Sequence, residues 1–128
     1  MVVDDDPLVL ASAADMLREL GHEPIAIASA KKALEFLRTG ERPDLAILDY
    51  AMPEMTGVAL ADLAREVCPG LPLLLATGFS EPESTRPDLP RLDKPFTIAE
   101  LGRRIGSLAS PAREQSVSDA RGEASSYS

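Results

Sequence analysis

Short apolar runs alternate with segments of helical periodicity along most of this chain. The runs are bounded by glycine, proline or acidic residues, which is typical of buried strands. Between them, apolar residues recur at spacings of three and four, which is typical of amphipathic helices. Strands are predicted over residues 1–3, 24–27, 45–48, 71–76 and 91–93, and helices over residues 7–20, 30–37, 60–67 and 98–108. This alternation predicts an α/β fold in which a parallel sheet carries helices on both faces.

The size and composition of the chain fit one cytoplasmic domain. It has 128 residues, of which 45% are hydrophobic, and this suffices for one core. Cys68 is the only cysteine, so no intramolecular disulfide can form and a reduced, cytoplasmic compartment is expected. The formal net charge of -8 argues against direct contact with nucleic acid or with an anionic membrane surface.

The C-terminal residues differ in composition from the rest of the chain. Residues 110–128 are mostly Ser, Ala, Arg, Glu and Gly, with one isolated valine. Such a segment cannot bury enough apolar surface to order itself. The sequence therefore predicts a domain over residues 1–109, followed by a disordered tail or linker over residues 110–128.

One carboxylate, Asp49, ends the third apolar run. In open α/β sheets, ligands bind at the carboxyl ends of the strands. Pro53 and Gly57 disfavour regular structure directly after this point, so Asp49 is predicted to lie at the sheet edge beside an exposed loop. A lone aspartate at a strand end commonly does no more than cap a turn, and two further features count against that simpler interpretation.

Other polar residues follow the remaining predicted strands. Asp4 and Asp5 come after the first, Thr77 after the fourth and Lys94 after the fifth. Three carboxylates at one edge repel one another unless a cation joins them, and Mg²⁺ readily accepts carboxylates together with waters and phosphate oxygens. A lysine and a threonine hydroxyl at the same edge would help to neutralise a phosphoryl group transferred to a carboxylate. Asp49 is the predicted nucleophile.

Four motifs resemble those of the receiver domain of two-component response regulators. They are Val-Val-Asp-Asp-Asp-Pro at residues 2–7, Leu-Asp-Tyr-Ala-Met-Pro-Glu-Met-Thr-Gly at residues 48–57, Ala-Thr-Gly at residues 76–78 and Asp-Lys-Pro-Phe at residues 93–96. The resemblance covers roughly residues 2–108. It implies a (βα)5 flavodoxin-like, doubly wound parallel sheet with strand order 2-1-3-4-5.

The resemblance also implies phosphoryl transfer to Asp49. The donor would be the phosphohistidine of a histidine kinase or a phosphotransfer domain. Thr77 would hydrogen-bond the phosphoryl group and Lys94 would pair with it. The chain would then be a signalling phosphoacceptor with slow self-catalysed chemistry, and not an enzyme in the usual sense. A weak homodimer stays open as a further partner.

The metal site implied by the resemblance uses residues from two strand ends. Asp5 would ligate Mg²⁺ directly and Asp4 mostly through water. Asp49 would be a further ligand, together with the backbone carbonyl of Ala51. By the same resemblance, Pro95 would follow a cis peptide bond, which X-Pro bonds tolerate at little cost.

Two features depart from the usual pattern of this family. Many receivers have an aromatic residue three positions before the lysine, where it flips inward on phosphorylation, but this chain has Arg91. Residues 80–90 contain three prolines and no apolar period, so the fourth helix is expected to be short or absent. The run Ala-Thr-Gly-Phe is similar to an alphaproteobacterial subgroup of receivers with a shortened fourth helix. These departures argue against an aromatic switch but leave the phosphorylation chemistry intact.

Two functional classes remain open. One is an active phosphoacceptor, either a stand-alone regulator or the receiver of a hybrid histidine kinase. The other is a non-phosphorylated interaction module that docks a kinase through the receiver fold. The presence of Asp5, Asp49, Thr77 and Lys94 together favours the first.

Overall fold

The five predicted strands form one parallel sheet. The computed structural model describes residues 1–78, 86 and 88–117, and the side chains among them up to residue 108. The strands are β1 Val2–Val3, β2 Ala26–Ile27, β3 Ala46–Asp49, β4 Leu73–Thr77 and β5 Arg91–Asp93. Their order is β2-β1-β3-β4-β5, and every pairing is parallel. The predicted strand order 2-1-3-4-5 is confirmed.

Helices follow the first three strands and the last one. They are α1 Pro7–Glu19, α2 Ala30–Arg38, α3 Gly57–Val67 and α4 Ile98–Val117. The start of α4 is a capping box, in which Glu100 Oε1 accepts from the Thr97 N–H at 2.9 Å and Thr97 Oγ1 accepts from the Glu100 N–H at 3.1 Å. None of the helices in the described ranges is both long and apolar enough to cross a membrane.

Two apolar clusters lie on opposite faces of the sheet. Successive side chains of a strand point to opposite faces, so Leu73 and Leu75 pack with α2 and α3, whereas Leu74 and Ala76 pack with α1 and α4. Leucine, valine, isoleucine and alanine fill most of both clusters. With both faces covered, polar chemistry is confined to the strand ends and to the loops that follow them.

The expected shortening of a fourth helix concerns a connection that the structure describes only in part. Between β4 and β5 it describes Gly78, Arg86 and residues 88–90, none of which is helical. Residues 79–85 and 87, which include most of the proline-rich stretch, lie outside the described residues. A short or absent fourth helix therefore stays a prediction.

The last helix is longer than the sequence pattern predicted. It continues to Val117 instead of ending near residue 108, so it enters the segment 110–128 predicted as a tail or linker. The prediction considered only the missing apolar residues, whereas Ala, Arg, Glu and Gln in this stretch are intrinsically good helix formers. Residues 118–128 lie outside the described part of the chain, and the domain boundary at residue 109 stays a prediction.

Charged side chains fasten the described end of the β4–β5 connection to α3. Arg86 pairs with Asp62 at 2.8 Å and with Asp88 at 2.9 Å, and Arg65 pairs with Asp88 at 2.7 Å. Beside these ion pairs, Leu89 is 2% exposed and belongs to the apolar cluster formed by α2 and α3. The chain entering β5 is thus held against α3 by one apolar anchor and several ion pairs.

We expect the carboxyl group of Asp88 to titrate well below an ordinary aspartate. Its hydrogen bond from Arg86, helped by one from Arg65, lowers the pKa of Asp88 from 3.8 to about 2. Because the folded-state pKa is depressed, this contact stabilises the fold above pH 3.8 and is lost as the pH falls through about 2. An NMR titration of the Asp88 carboxyl carbon measures the midpoint. Arg86→Gln should move that midpoint up, and an unchanged midpoint would contradict the assignment.

Candidate functional site

Three carboxylates meet at the carboxyl edge of the sheet. Asp4 and Asp5 directly follow β1, and Asp49 is the last residue of β3. One oxygen from each lies within 4.8 Å of the other two. Asp4 and Asp49 are each 4% exposed, whereas Asp5 is exposed to solvent. The structure therefore brings together all three side chains that the sequence placed at this edge.

Lys94 supplies a positive charge in the middle of this acidic cluster. Its Nζ donates to Asp49 Oδ1 at 2.6 Å and to Asp4 Oδ2 at 3.2 Å. The Lys94 N–H donates to the Thr77 carbonyl at 2.8 Å, which helps to fix its position. The Lys94–Pro95 peptide bond is cis, as predicted. One ammonium group thus bridges two carboxylates at the carboxyl ends of two different strands.

The protonation equilibria of the site reflect burial and this shared lysine. Burial raises the pKa of Asp49 from 3.8 to about 6; the Lys94 ammonium opposes this rise, and the carboxylates of Asp4 and Asp5 add to it. For Lys94, burial lowers the pKa, but the hydrogen bond to Asp49 and the charge of Asp4 outweigh burial, so the net shift is upward. Lys94 therefore stays protonated at neutral pH, and one cation faces three carboxyl groups.

Asp6 belongs to the helix rather than to the site. Its carboxylate caps α1, where Oδ1 accepts from the Leu8 N–H at 2.9 Å and from the Val9 N–H at 3.5 Å. Its own N–H donates to Asp4 Oδ1 at 2.9 Å and so helps to orient that buried carboxylate. Of the three consecutive aspartates, Asp4 and Asp5 thus belong to the acidic cluster and Asp6 caps the helix.

The loop after Asp49 folds back tightly on the strand that carries it. The Tyr50 N–H donates to the Ala76 carbonyl at 2.8 Å, and the Gly57 N–H donates to the Tyr50 carbonyl at 2.7 Å. An isolated bridge joins Ala51 to Thr56 across the loop. The predicted metal-ligating carbonyl of Ala51 therefore sits on a closed loop, two residues beyond Asp49.

Gly57 has a role that sequence reasoning missed, because it was taken only as a breaker of regular structure. A Cβ atom at this position would lie 2.5 Å from the Asp49 carbonyl oxygen and 2.7 Å from Leu75 Cδ1. The absence of a side chain thus lets α3 begin directly against the end of β3. The signal available in the sequence was its place between the capping Thr56 and the first apolar residues of the helix.

Thr77 lies at the same edge, but its hydroxyl is engaged by β5. The residue is 1% exposed; its Oγ1 donates to Asp93 Oδ1 at 3.0 Å and accepts from Arg91 Nη2 at 3.1 Å. Asp93 was also missed from the sequence. It could have been found from the alternation of side chains along a strand, which places Arg91 and Asp93 on the same face of β5, beside the end of β4.

Comparison with known proteins gives a family match over most of the chain. Residues 1–105 match the response regulator receiver domain family. The transcriptional regulatory protein PrrA of Mycobacterium tuberculosis is 36% identical over 115 residues, which cover 84% of this chain. The response regulator receiver protein CpdR of Brucella abortus is 32% identical over 114 residues, covering 84% of this chain and 93% of CpdR. The crystal structure of the receiver domain of the hybrid histidine kinase CckA superposes with a TM-score of 0.72 at 28% identity, covering 84% of this chain and 94% of that domain.

The relatives differ in how much of their length this chain accounts for. It spans about half of the first curated relatives that it matches, including 48% of PrrA. It spans nearly all of CpdR and of the CckA receiver. What is shared is therefore the receiver unit itself. By its sheet order and by the match over residues 1–105, this chain belongs to the response regulator receiver domain family and is a receiver domain of two-component signalling.

Proposed function

We propose that this receiver domain accepts a phosphoryl group on Asp49. The observation that carries the proposal is the 2.6 Å contact between Lys94 Nζ and Asp49 Oδ1, at an edge where two further carboxylates converge. A carboxylate oxygen of Asp49 would attack phosphorus and form an acyl phosphate, while the imidazole of a donor phosphohistidine leaves. The site then supplies position and charge, which is what phosphoryl transfer chiefly requires.

Lys94 and Thr77 would act on the transferred group. Lys94 contacts Asp49 directly, so its ammonium lies where it can compensate the negative charge of phosphoryl oxygens attached to that residue. Thr77 ends the adjacent strand β4, and its hydroxyl carries the one proton that it could donate to a phosphoryl oxygen. Both roles are proposals drawn from the family resemblance and supported by the location of the two residues.

The acidic cluster fits Mg²⁺ as its metal. Octahedral Mg²⁺ binds oxygen at about 2.1 Å, so two of its ligands lie at most about 4.2 Å apart. The three carboxylate oxygens lie within 4.8 Å of one another, which is close to that span. Asp5 and Asp49 would ligate the ion, Asp4 would act mostly through water, and the Ala51 carbonyl would complete the protein ligands. The bound ion would supply the positive charge that Lys94 alone cannot.

Asp5→Ala should weaken Mg²⁺ binding, whereas Asp6→Ala should lower the stability of the fold. The exposed Asp5 takes part in the acidic cluster, so its loss should weaken Mg²⁺ binding by about tenfold or more while stability without metal is retained. Asp6 caps α1, so its loss should cost about 1 kcal/mol of unfolding free energy and change Mg²⁺ affinity little. Mg²⁺ titration by calorimetry and urea unfolding of both variants measure this. Equal Mg²⁺ affinities would mean that the wrong aspartate was assigned to the metal.

The proposed partner is a histidine kinase or a phosphotransfer domain, either on a separate protein or within a hybrid kinase. A formal net charge of -8 supports protein partners over nucleic acid or anionic lipid. The cytoplasmic location and the weak homodimer stay predictions from the sequence.

The test of the proposed function is chemical labelling of the intact chain. With acetyl phosphate and Mg²⁺, mass spectrometry should show one added phosphoryl group that hydroxylamine removes, as expected for an acyl phosphate. Chelation of the metal should prevent labelling. A chain that binds a kinase but takes no label under any of these conditions would instead be the non-phosphorylated docking module.

A further inference from the structure

Three side chains at the ends of β4 and β5 form a closed hydrogen-bonded triangle. Thr77 Oγ1 donates to Asp93 Oδ1 at 3.0 Å, and Arg91 Nη2 donates both to Thr77 Oγ1 at 3.1 Å and to Asp93 Oδ1 at 3.3 Å. The parallel register explains the grouping, because Thr77 lies opposite Asp93 and Leu75 lies opposite Arg91. The triangle therefore follows from the pairing of two strands rather than from a mobile loop.

The Thr77 hydroxyl cannot serve this triangle and the acidic cluster at the same time. A threonine hydroxyl has one proton to donate, and in this structure Asp93 accepts it. If a phosphoryl group on Asp49 is to receive that proton, the bond to Asp93 must break first. The two acceptors are mutually exclusive.

We propose that Asp93, held in place by Arg91, competes with the phosphoryl group for the Thr77 hydroxyl and so limits how tightly the site holds that group. This inference rests on the proposed function of Asp49 as phosphoacceptor. Asp93 and Arg91 are positioning residues here, because each acts on the phosphoryl group only through Thr77. In many receivers an aromatic residue occupies the position of Arg91. In this chain, Arg91 and Asp93 would instead determine how readily the Thr77 hydroxyl can bond to the phosphoryl group.

The exposure of the three side chains indicates how strongly Asp93 holds the Thr77 hydroxyl. Thr77 is 1% exposed, but the Asp93 side chain is 82% exposed and that of Arg91 is 26% exposed. Water screens the pair of charges, and exposed pairs of this kind are individually weak. Removing the competitor should therefore raise the affinity for a phosphoryl analogue by roughly two- to fivefold. Asp93 modulates the site but does not block it.

Beryllofluoride, in the presence of saturating Mg²⁺, is the probe for a double-mutant cycle on the full chain. Its affinity is measured by ¹⁹F NMR for the wild type, Asp93→Ala, Thr77→Val and the double variant. Asp93→Ala should bind beryllofluoride more tightly, and this gain should vanish when Thr77 is valine. An equal gain in both backgrounds would show that only the charge of Asp93 matters, and would overturn the proposal.

Arg91→Met separates competition from electrostatics by the sign of its effect. Removing a cation near an anion site weakens anion binding if charge alone matters. The proposal expects tighter binding, because Asp93 loses its partner and releases the Thr77 hydroxyl. Arg38→Met is the matched control, because Arg38 ends α2 and so lies toward the edge of the sheet opposite to the site. This variant should bind beryllofluoride with the same affinity as the wild type. Weaker binding by Arg91→Met would overturn the proposal.

A second cycle, by urea unfolding without metal or anion, tests the triangle itself. Thr77→Val and Asp93→Ala should show a coupling free energy in the resting chain, and zero coupling would overturn the inference. Suppose that the wild type binds no beryllofluoride but this coupling is present. The hydrogen bond between Thr77 and Asp93 then exists, but the proposed phosphoacceptor function fails, and with it the proposed competition for the Thr77 hydroxyl. The two failures are thereby distinguished.

Discussion

Asp49→Asn is expected to abolish acceptance of a phosphoryl group. The amide keeps the size of the side chain but lacks the carboxylate that attacks phosphorus, so labelling by acetyl phosphate should fall by on the order of a thousandfold or more. The fold should survive, because Asp49 is 4% exposed and burial already disfavours its charged form. Intact-mass measurement after incubation with acetyl phosphate and Mg²⁺ gives the extent of labelling.

Asp15→Asn is the matched control for this experiment. Asp15 lies on the exposed surface of α1, where it pairs only with Arg18 at 2.9 Å among the described contacts. Its replacement changes the net charge by the same amount without touching the carboxyl edge, so labelling should be unchanged. Labelling of Asp49→Asn at the level of Asp15→Asn would show that another residue accepts the phosphoryl group.

Gly57→Ala should be strongly destabilising. The new Cβ would lie 2.5 Å from the Asp49 carbonyl oxygen, which is backbone and cannot rotate away, and 2.7 Å from Leu75 Cδ1. Relief requires α3 to move away from β3. We expect a loss of about 2–3 kcal/mol in unfolding free energy, measured by urea denaturation. Because the shift also moves the end of β3, weaker Mg²⁺ binding should accompany the loss.

Gly106→Ala is the contrasting control. Gly106 lies within α4, and a Cβ there would meet nothing within 4 Å. The same chemical change should stabilise this position by roughly 0.5–1 kcal/mol, because alanine restricts the unfolded chain and favours helix. A similar effect of both substitutions would mean that the close approach of α3 to Asp49 does not exist in solution.

Much of the fold was predictable because its local and global signals agree. Short apolar runs alternating with helical periods leave few arrangements besides a parallel sheet, and strand-end residues of such a sheet share one edge. That reasoning brought Asp4, Asp49 and Lys94 together before any contact was known.

The rest depended on relations between strands that a one-dimensional pattern does not contain. Whether the Thr77 hydroxyl meets Asp49 or Asp93 is decided by the register of β4 and β5 and by side-chain rotamers. The closeness of Gly57 to the Asp49 carbonyl is likewise a matter of packing distance. The end of α4 was misplaced for a different reason, because apolar content was weighed and helix propensity was not.

The tight loop after Asp49 makes the chain its own spectroscopic reporter. The protein has no tryptophan, and its two tyrosines are Tyr50 and Tyr127. Tyr50 directly follows Asp49, and its backbone is tied to Ala76 and Gly57. In a Tyr127→Phe background, all tyrosine emission therefore originates beside the acidic edge. A fluorescence change that saturates with Mg²⁺ or beryllofluoride can then be followed in real time without any attached dye, and its rate would report events at Asp49 itself.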